Sequence, residues 1–164
     1  MLRITDNGNS EYVIIIRKNH SASEKTAAEE LAAYLKKITD AEIPVKTDDE
    51  KKTDHEIVIG FTNRGGKGKK ELGEEGFTIK TEGKRLFILG SEVRGALYGV
   101  YSFLEKCCGC RFYTDTCERV PKVNMLTVPE IDCTELPGFE YRNVYWFAQG
   151  GEMISAKLKN NGGM

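Results

Sequence analysis

From Glu92 to Cys107 the chain sets Val93, Ala96, Leu97, Val100, Phe103, Leu104 and Cys107 at helical spacing, and interrupts that stripe with Gly95 and Gly99. A glycine inside a helix lowers its stability by about 1 kcal/mol relative to alanine. Two of them four residues apart read as a bare strip that lets a neighbouring strand or helix approach closely. A helix predicted over 92–107 therefore needs a partner surface, and Gly109 is the residue expected to end it.

Upstream segments can supply that surface. Tyr12-Val-Ile-Ile-Ile16 is a short β-branched run bounded by polar residues, which predicts a buried strand. A first helix follows, with Ser21 and Ser23 as candidate N-caps and Ser21 with Glu24 at the spacing of a capping box. Ala27, Ala28, Leu31, Leu35 and Ile38 give it one apolar stripe, and Lys36 and Lys37 suit the negative end of its dipole. Further strands are predicted at 43–45 and 56–59. A hairpin is predicted from 76–81 and 84–89, turning at Glu82-Gly83.

Beyond residue 110 the pattern is less regular. Short strands are predicted at 111–113 and 125–128, while Pro121, Pro129 and Pro137 punctuate the connections. Pro137-Gly138 reads as a turn or linker. Phe139 to Phe147 then reads as a fresh strand, and Met153 to Leu158 as the start of a helix. The organisation expected is one domain over 1–136, followed over 137–164 by a linker and the first βα unit of another.

The chemistry-bearing residues give few footholds. With 164 residues and a net charge of −1, the chain offers no electrostatic case for nucleic acid or an anionic membrane as partner. The basic run from Arg64 to Lys70 is offset by Glu71, Glu74 and Glu75 and reads as a solvated loop. No segment approaches the roughly 20 apolar residues of a membrane span. No secretory leader is visible either, so a cytoplasmic location is favoured, or a secreted one if a leader has been removed.

Of five cysteines, three crowd into Cys107-Cys108-Gly109-Cys110 at the end of a helix and are expected to pack as small apolar groups. Metal binding with Cys117 or Cys133, and redox chemistry, are the weaker readings, because no second paired hook exists and this motif closes a helix. His20 and His55 are expected at the solvent. Gly66-Lys67-Gly68-Lys69-Lys70 lacks the Ser or Thr that a phosphate-binding loop requires. Glu29, Glu30, Asp48, Asp49, Glu50, Glu74, Glu75 and Glu118 lie in charged runs that are expected to be solvated, with no apolar setting to raise a carboxyl pKa. No catalytic residue, metal site or cofactor is read from them. Arg94, in the first turn of the glycine-bearing helix, sits unfavourably for its charge and calls for a carboxylate partner and a structural role.

Several segments together carry a family resemblance. They are Ser23-Glu-Lys-Thr-Ala-Ala-Glu-Glu-Leu31 with Tyr34-Leu35, then Ile57-Val-Ile-Gly-Phe-Thr-Asn-Arg64 and Gly76-Phe-Thr-Ile79. The most specific is Arg94-Gly-Ala-Leu-Tyr-Gly-Val-Tyr-Ser-Phe-Leu-Glu105, followed by Gly109-Cys-Arg-Phe-Tyr113 and Phe139-Glu-Tyr-Arg142. In this order the chain resembles the N-terminal domains of family 67 α-glucuronidases and family 20 β-N-acetylhexosaminidases. It is closer still to bacterial proteins in which that domain precedes one of unknown function with a predicted barrel.

The resemblance implies an α/β sandwich, a mixed sheet with two helices on one face, supporting a (β/α)8 barrel that carries the catalytic carboxylates. It implies a non-catalytic accessory role, with the barrel of the same polypeptide as partner and a carbohydrate as the parent's ligand. It also implies Arg142 as a candidate for binding sugar hydroxyls or a uronate, the alternative being an interfacial ion pair. Gly95, Gly99, Tyr145 and Trp146 are the structural or interface candidates beside Arg94. Asn143-Val-Tyr-Trp146 departs from the Gly and Met-Leu-Asp-like continuation of the hexosaminidases. A rival reading is an independent carbohydrate-binding or protein-interaction module using Tyr113, Tyr145, Trp146 and Phe147 as stacking surfaces. An exposed apolar patch containing them would suit the buttress, or a dimer formed through it.

Overall fold

The computed structural model describes residues 1–65, 70–144 and 151–162. In chain order the elements are β1 (Leu2–Asp6), β2 (Val13–Ile16), α1 (Ala22–Thr39), β3 (Val45–Thr47), β4 (Glu56–Ile59), β5 (Phe77–Glu82) and β6 (Arg85–Gly90). They continue with α2 (Gly95–Lys106), β7 (Arg111–Phe112), β8 (Glu118–Arg119), β9 (Met125–Val128), β10 (Asp132–Glu135) and α3 (Glu152–Lys157).

Six strands form one mixed sheet in the order β10-β5-β6-β4-β2-β3. β3, β2, β4 and β6 run parallel, and β5 and β10 add antiparallel to β6 and β5 in turn. Parallel neighbours need a crossover, and α1 supplies it between β2 and β3. Strands buried on both faces lose the alternating pattern, which is why 13–16 and 56–59 read as unbroken runs. Their side chains still alternate. Ile14, Ile16, Ile57, Ile59 and Ile88 meet the helices, whereas Val13, Ile15, Val58, Phe87 and Leu89 form a smaller cluster on the other face with Phe61.

Both long helices lie on the first face and share one core, with Leu31, Leu35 and Ile38 from α1 and Ala96, Val100, Phe103 and Leu104 from α2. α3 joins the same core through Ile154 and Ala156. The capping box forms in full at Ser21, whose hydroxyl accepts from Glu24 N–H at 3.1 Å. Ser23, the other cap candidate, lies inside the helix.

Some boundaries depart from the sequence pattern. α2 starts at Gly95 instead of Glu92, and Val93 is exposed. The backbone N–H groups of Arg94 and Gly95 both donate to the Glu74 carbonyl, at 3.2 and 3.0 Å, and this holds the chain off the helical path. β3 begins at Val45, after Pro44, whose carbonyl accepts from Ile14 N–H at 2.9 Å. Residues 139–144 form no strand, and Phe139 is 77% exposed; the rest of the strand expected over 139–147 lies outside the described residues. β1 and β10 had no sequence signal, because each is defined by a distant partner, β9 and β5 respectively.

The glycines of α2 lie where backbone and side chains press close. A Cβ at Gly95 would stand 2.5 Å from the Gly76 carbonyl oxygen, and one at Gly99 would stand 2.7 Å from Ile88 Cγ2 and 3.2 Å from Phe77 Cβ. Alanine gains about 1 kcal/mol of helix propensity, but overpacking a core costs about 1–3 kcal/mol. Gly99→Ala is expected to lose about 1 kcal/mol net, and Gly99→Val more, in urea denaturation followed by circular dichroism. A raised midpoint for Gly99→Ala would contradict the close approach.

Candidate functional site

The residues that the sequence marked as Arg94 and Arg142 converge on one carboxylate, Glu75. It lies just before β5 and is 9% exposed. Arg94, the residue capping α2, donates from Nη1 to Glu75 Oε1 at 3.2 Å, and Arg142 donates from Nη2 to Oε2 at 2.5 Å. Asn161 Nδ2 adds a bond to Oε1 at 3.0 Å. Burial pushes the Glu75 pKa up, but the bonds from Arg142, Asn161 and Arg94 outweigh it and leave the group below its ordinary 4.5.

Arg142 is held on every side by its own chain. Nε donates to the Lys159 carbonyl at 2.9 Å and Nη1 to the Phe139 carbonyl at 2.5 Å. Its backbone N–H donates to Asn161 Oδ1 at 2.7 Å, and its carbonyl accepts from Asn161 and Gly162, both at 2.9 Å. Tyr98, from α2, closes the knot by donating to the Asn160 carbonyl at 3.0 Å. A cavity of about 200 Å³ opens beside it, lined by Glu75, Phe77, Tyr98, Leu136, Pro137 and Arg142. Arg142 uses one N–H of each guanidinium nitrogen on the Lys159 and Phe139 carbonyls and on Glu75, so the arrangement can fix a segment.

Glu75 corrects the expectation of a solvated charge run. Glu118 is likewise held, accepting from Tyr34 OH, from Lys37 Nζ at 3.0 Å and from Lys157 Nζ at 3.3 Å. Wherever a carboxyl of the described residues is shifted, it is shifted downward: Glu42, Asp49, Glu75, Glu82 and Glu118. A general acid for glycoside hydrolysis needs the opposite. Sequence reasoning missed two further buried carboxylates as ion-pair nodes. Glu56 is fully buried and faces Arg64 Nε at 3.2 Å and Arg85 Nε at 3.4 Å, and Glu24 meets Arg17 Nε at 2.8 Å. A glutamate opening a strand buried on both faces was the available signal for the first.

Cys108 and Cys110 are buried in the core and Cys107 is half-buried. Burial pushes all three thiols up, that of Cys110 to about 11. Among the described residues no three His, Cys, Asp or Glu gather as a metal site would require. The histidines are half-buried instead of exposed: His55 sits edge-on to the Tyr12 ring, 5.2 Å between centroids, and His20 lies beside the Ser21 carbonyl. Tyr145, Trp146 and Phe147 lie outside the described residues. Leu136, Phe139, Tyr141 and Val144, which flank Arg142 in sequence, are exposed. No helix among the described residues is long and apolar enough to cross a membrane.

Comparison with known proteins finds a family model, glycosyl hydrolase family 67 N-terminus, matching residues 3–103. A search of curated protein sequences finds no significant match. Among solved structures, a family GH115 4-O-methyl-alpha-glucuronidase with specificity for decorated arabinogalactans superposes with a TM-score of 0.60 at 14% identity, covering 87% of this chain. The GH20 beta-N-acetylhexosaminidase from Streptomyces coelicolor A3(2) gives 0.53 at 17% identity, and the Streptomyces plicatus N-acetyl-beta-hexosaminidase gives 0.52 at 17%, each over 86% of this chain. At such identities the likeness is one of fold. This chain spans 19% of the first structure and 24% of each of the other two.

Removing the charge of Glu75 leaves two arginines facing a neutral group. Glu75→Gln is expected to cost about 3 kcal/mol in denaturant unfolding at neutral pH, the usual penalty for breaking a partly buried pair. Because the folded carboxyl is lowered, the stability it contributes is full above pH 4.5 and is lost as pH falls through its folded value. The gap between wild type and Glu75→Gln should therefore close in acid. A gap that stays constant below pH 4.5 would assign the loss to packing.

Proposed function

Since this chain belongs to the glycosyl hydrolase family 67 N-terminus family, we propose that it serves as a non-catalytic support for the catalytic domain of a longer glycoside hydrolase. The observation that carries this reading is the Arg142–Glu75 knot. Residues leaving β10 through Pro137 are pinned to the mouth of α2 by Arg142, and again by Asn161. A segment held at both places leaves the sheet in a fixed direction, as a buttress requires. In this proposal Arg142 acts by its ion pair. Its bonds to Glu75 and to the Phe139 and Lys159 carbonyls support that reading.

Two further features support the reading. The shifted carboxyls all favour the ionised form, which suits structural pairing better than proton donation. Leu136, Phe139, Tyr141 and Val144, exposed on both sides of Arg142 in sequence, offer apolar surface to a following domain.

Aryl uronides and aryl N-acetylhexosaminides, assayed with this chain and with its longer parent polypeptide, test the proposal. Turnover is expected from the parent alone. Glu75→Gln in the parent should lower the thermal midpoint while leaving KM near wild type. Hydrolysis by the 164-residue chain itself would overturn the supporting role.

A further inference from the structure

Of the five cysteines, one of the three crowding the end of α2 faces a cysteine that is distant in sequence. Cys107 caps α2 and Cys133 lies within β10, and both are half-buried. Cys133 pairs opposite Ile79 of β5. Residues directly opposed in an antiparallel pair project to the same face, and Ile79 belongs to the core under the helices. Cys133 therefore faces the helix layer.

The same face two residues along is in direct contact with α2. Glu135 accepts from Ser102 Oγ at 3.2 Å and from Lys106 Nζ at 2.6 Å, and Lys106 is the immediate neighbour of Cys107. Burial raises the Cys107 thiol most, Lys106 opposes it, and Cys133 raises it further. Cys108 and Cys110 are enclosed in the core, whereas Cys117 is exposed ahead of β8.

We propose that Cys107 and Cys133 are a redox-sensitive pair that closes as an intramolecular disulfide by exchange with a small-molecule disulfide such as oxidised glutathione. One cysteine thiolate attacks a glutathione sulfur, forming a mixed disulfide and releasing one glutathione thiolate. The second cysteine, after losing its proton to solvent, attacks the protein sulfur of that mixed disulfide and releases the other glutathione. Two protein thiols are oxidised and one glutathione disulfide is reduced to two thiols. The bond staples the end of α2 to β10, the strand that leads through Leu136 and Pro137 to Arg142. It also closes a long loop containing β7, β8 and β9, the situation in which a cross-link most restricts the unfolded chain.

The test treats the folded chain with oxidised glutathione, then counts free thiols under denaturing conditions by maleimide labelling and mass spectrometry. Labelled cysteines should fall from five to three, and a tryptic cross-link should join peptides 107–111 and 123–142. Because the first peptide also holds Cys108 and Cys110, Cys107→Ser and Cys133→Ser are each expected to abolish the cross-link, and Cys117→Ser to leave it. The oxidised protein should unfold at higher urea, and dithiothreitol should reverse the shift. Retention of five labelled cysteines, glutathione adducts without an internal bond, or a cross-link that survives Cys107→Ser would overturn the pairing. Were both variants to fail to fold, the wild-type thiol count and peptide map would still decide it.

Discussion

Buried glutamates held by arginines govern how this chain closes. An ionised carboxylate with no solvent exposure, such as Glu56, is untenable in an apolar interior unless cations and donors surround it. Arg64 and Arg85 supply the charge, and the Thr53 N–H adds a bond at 3.0 Å. Such a cluster adds little net stability compared with a well-packed apolar substitute. What it does is exclude alternatives. By strand alternation Glu56 shares the face of Val58, so Arg64 must bring its loop across that face. The same guanidinium donates to the Asp48 and Glu50 carbonyls at 2.8 and 2.6 Å. One ion pair thus draws two connections over the sheet, and Phe61 comes with them to close the second apolar cluster.

Glu75 does the corresponding work at the opposite end of the sheet. Arg85 and Glu56 lie where β6 and β4 begin, whereas Glu75 lies where β6 finishes, since Phe77 pairs with Gly90. It gathers a loop, the start of α2 and residues 142 and 161 into one network. α3 is held by independent means. Its Lys157 ammonium lies 5.2 Å from the ring centres of both Tyr34 and Phe112 and bonds Tyr34 OH at 2.7 Å. The segment after Pro137 is therefore fixed by charge at one place and by an aromatic seat and core burial at another. On the proposed supporting role, this rigidity lies on the route toward a following domain, and the proposed Cys107–Cys133 staple would act on the same route.

Which elements were legible follows from where their information lies. α1 was legible to its cap, because Ser21, Glu24 and the stripe from Ala27 to Ile38 are local. β4, β9 and the β5–β6 hairpin were legible for the same reason. The start of α2 was misplaced by three residues because the Glu74 carbonyl, distant in sequence, takes the N–H groups of Arg94 and Gly95. Of the candidate site, Arg94 could be singled out by its misfit with the helix dipole. Its partner could not, since Glu75 looks like any other member of an acidic run.

The sequence by itself determined the alternation of strands and helices, the apolar stripe on each helix and the bare strip at Gly95 and Gly99, all set by periods of two and 3.6 residues. Tertiary structure alone decided which charges are buried. A carboxylate's environment depends on chain segments that periodicity does not relate: Glu75 is enclosed because residues 94, 142 and 161 arrive from three places. Desolvation then makes their pairing obligatory, and from that pairing comes the placement of Arg142 and Asn161 against the loop that leads into β5.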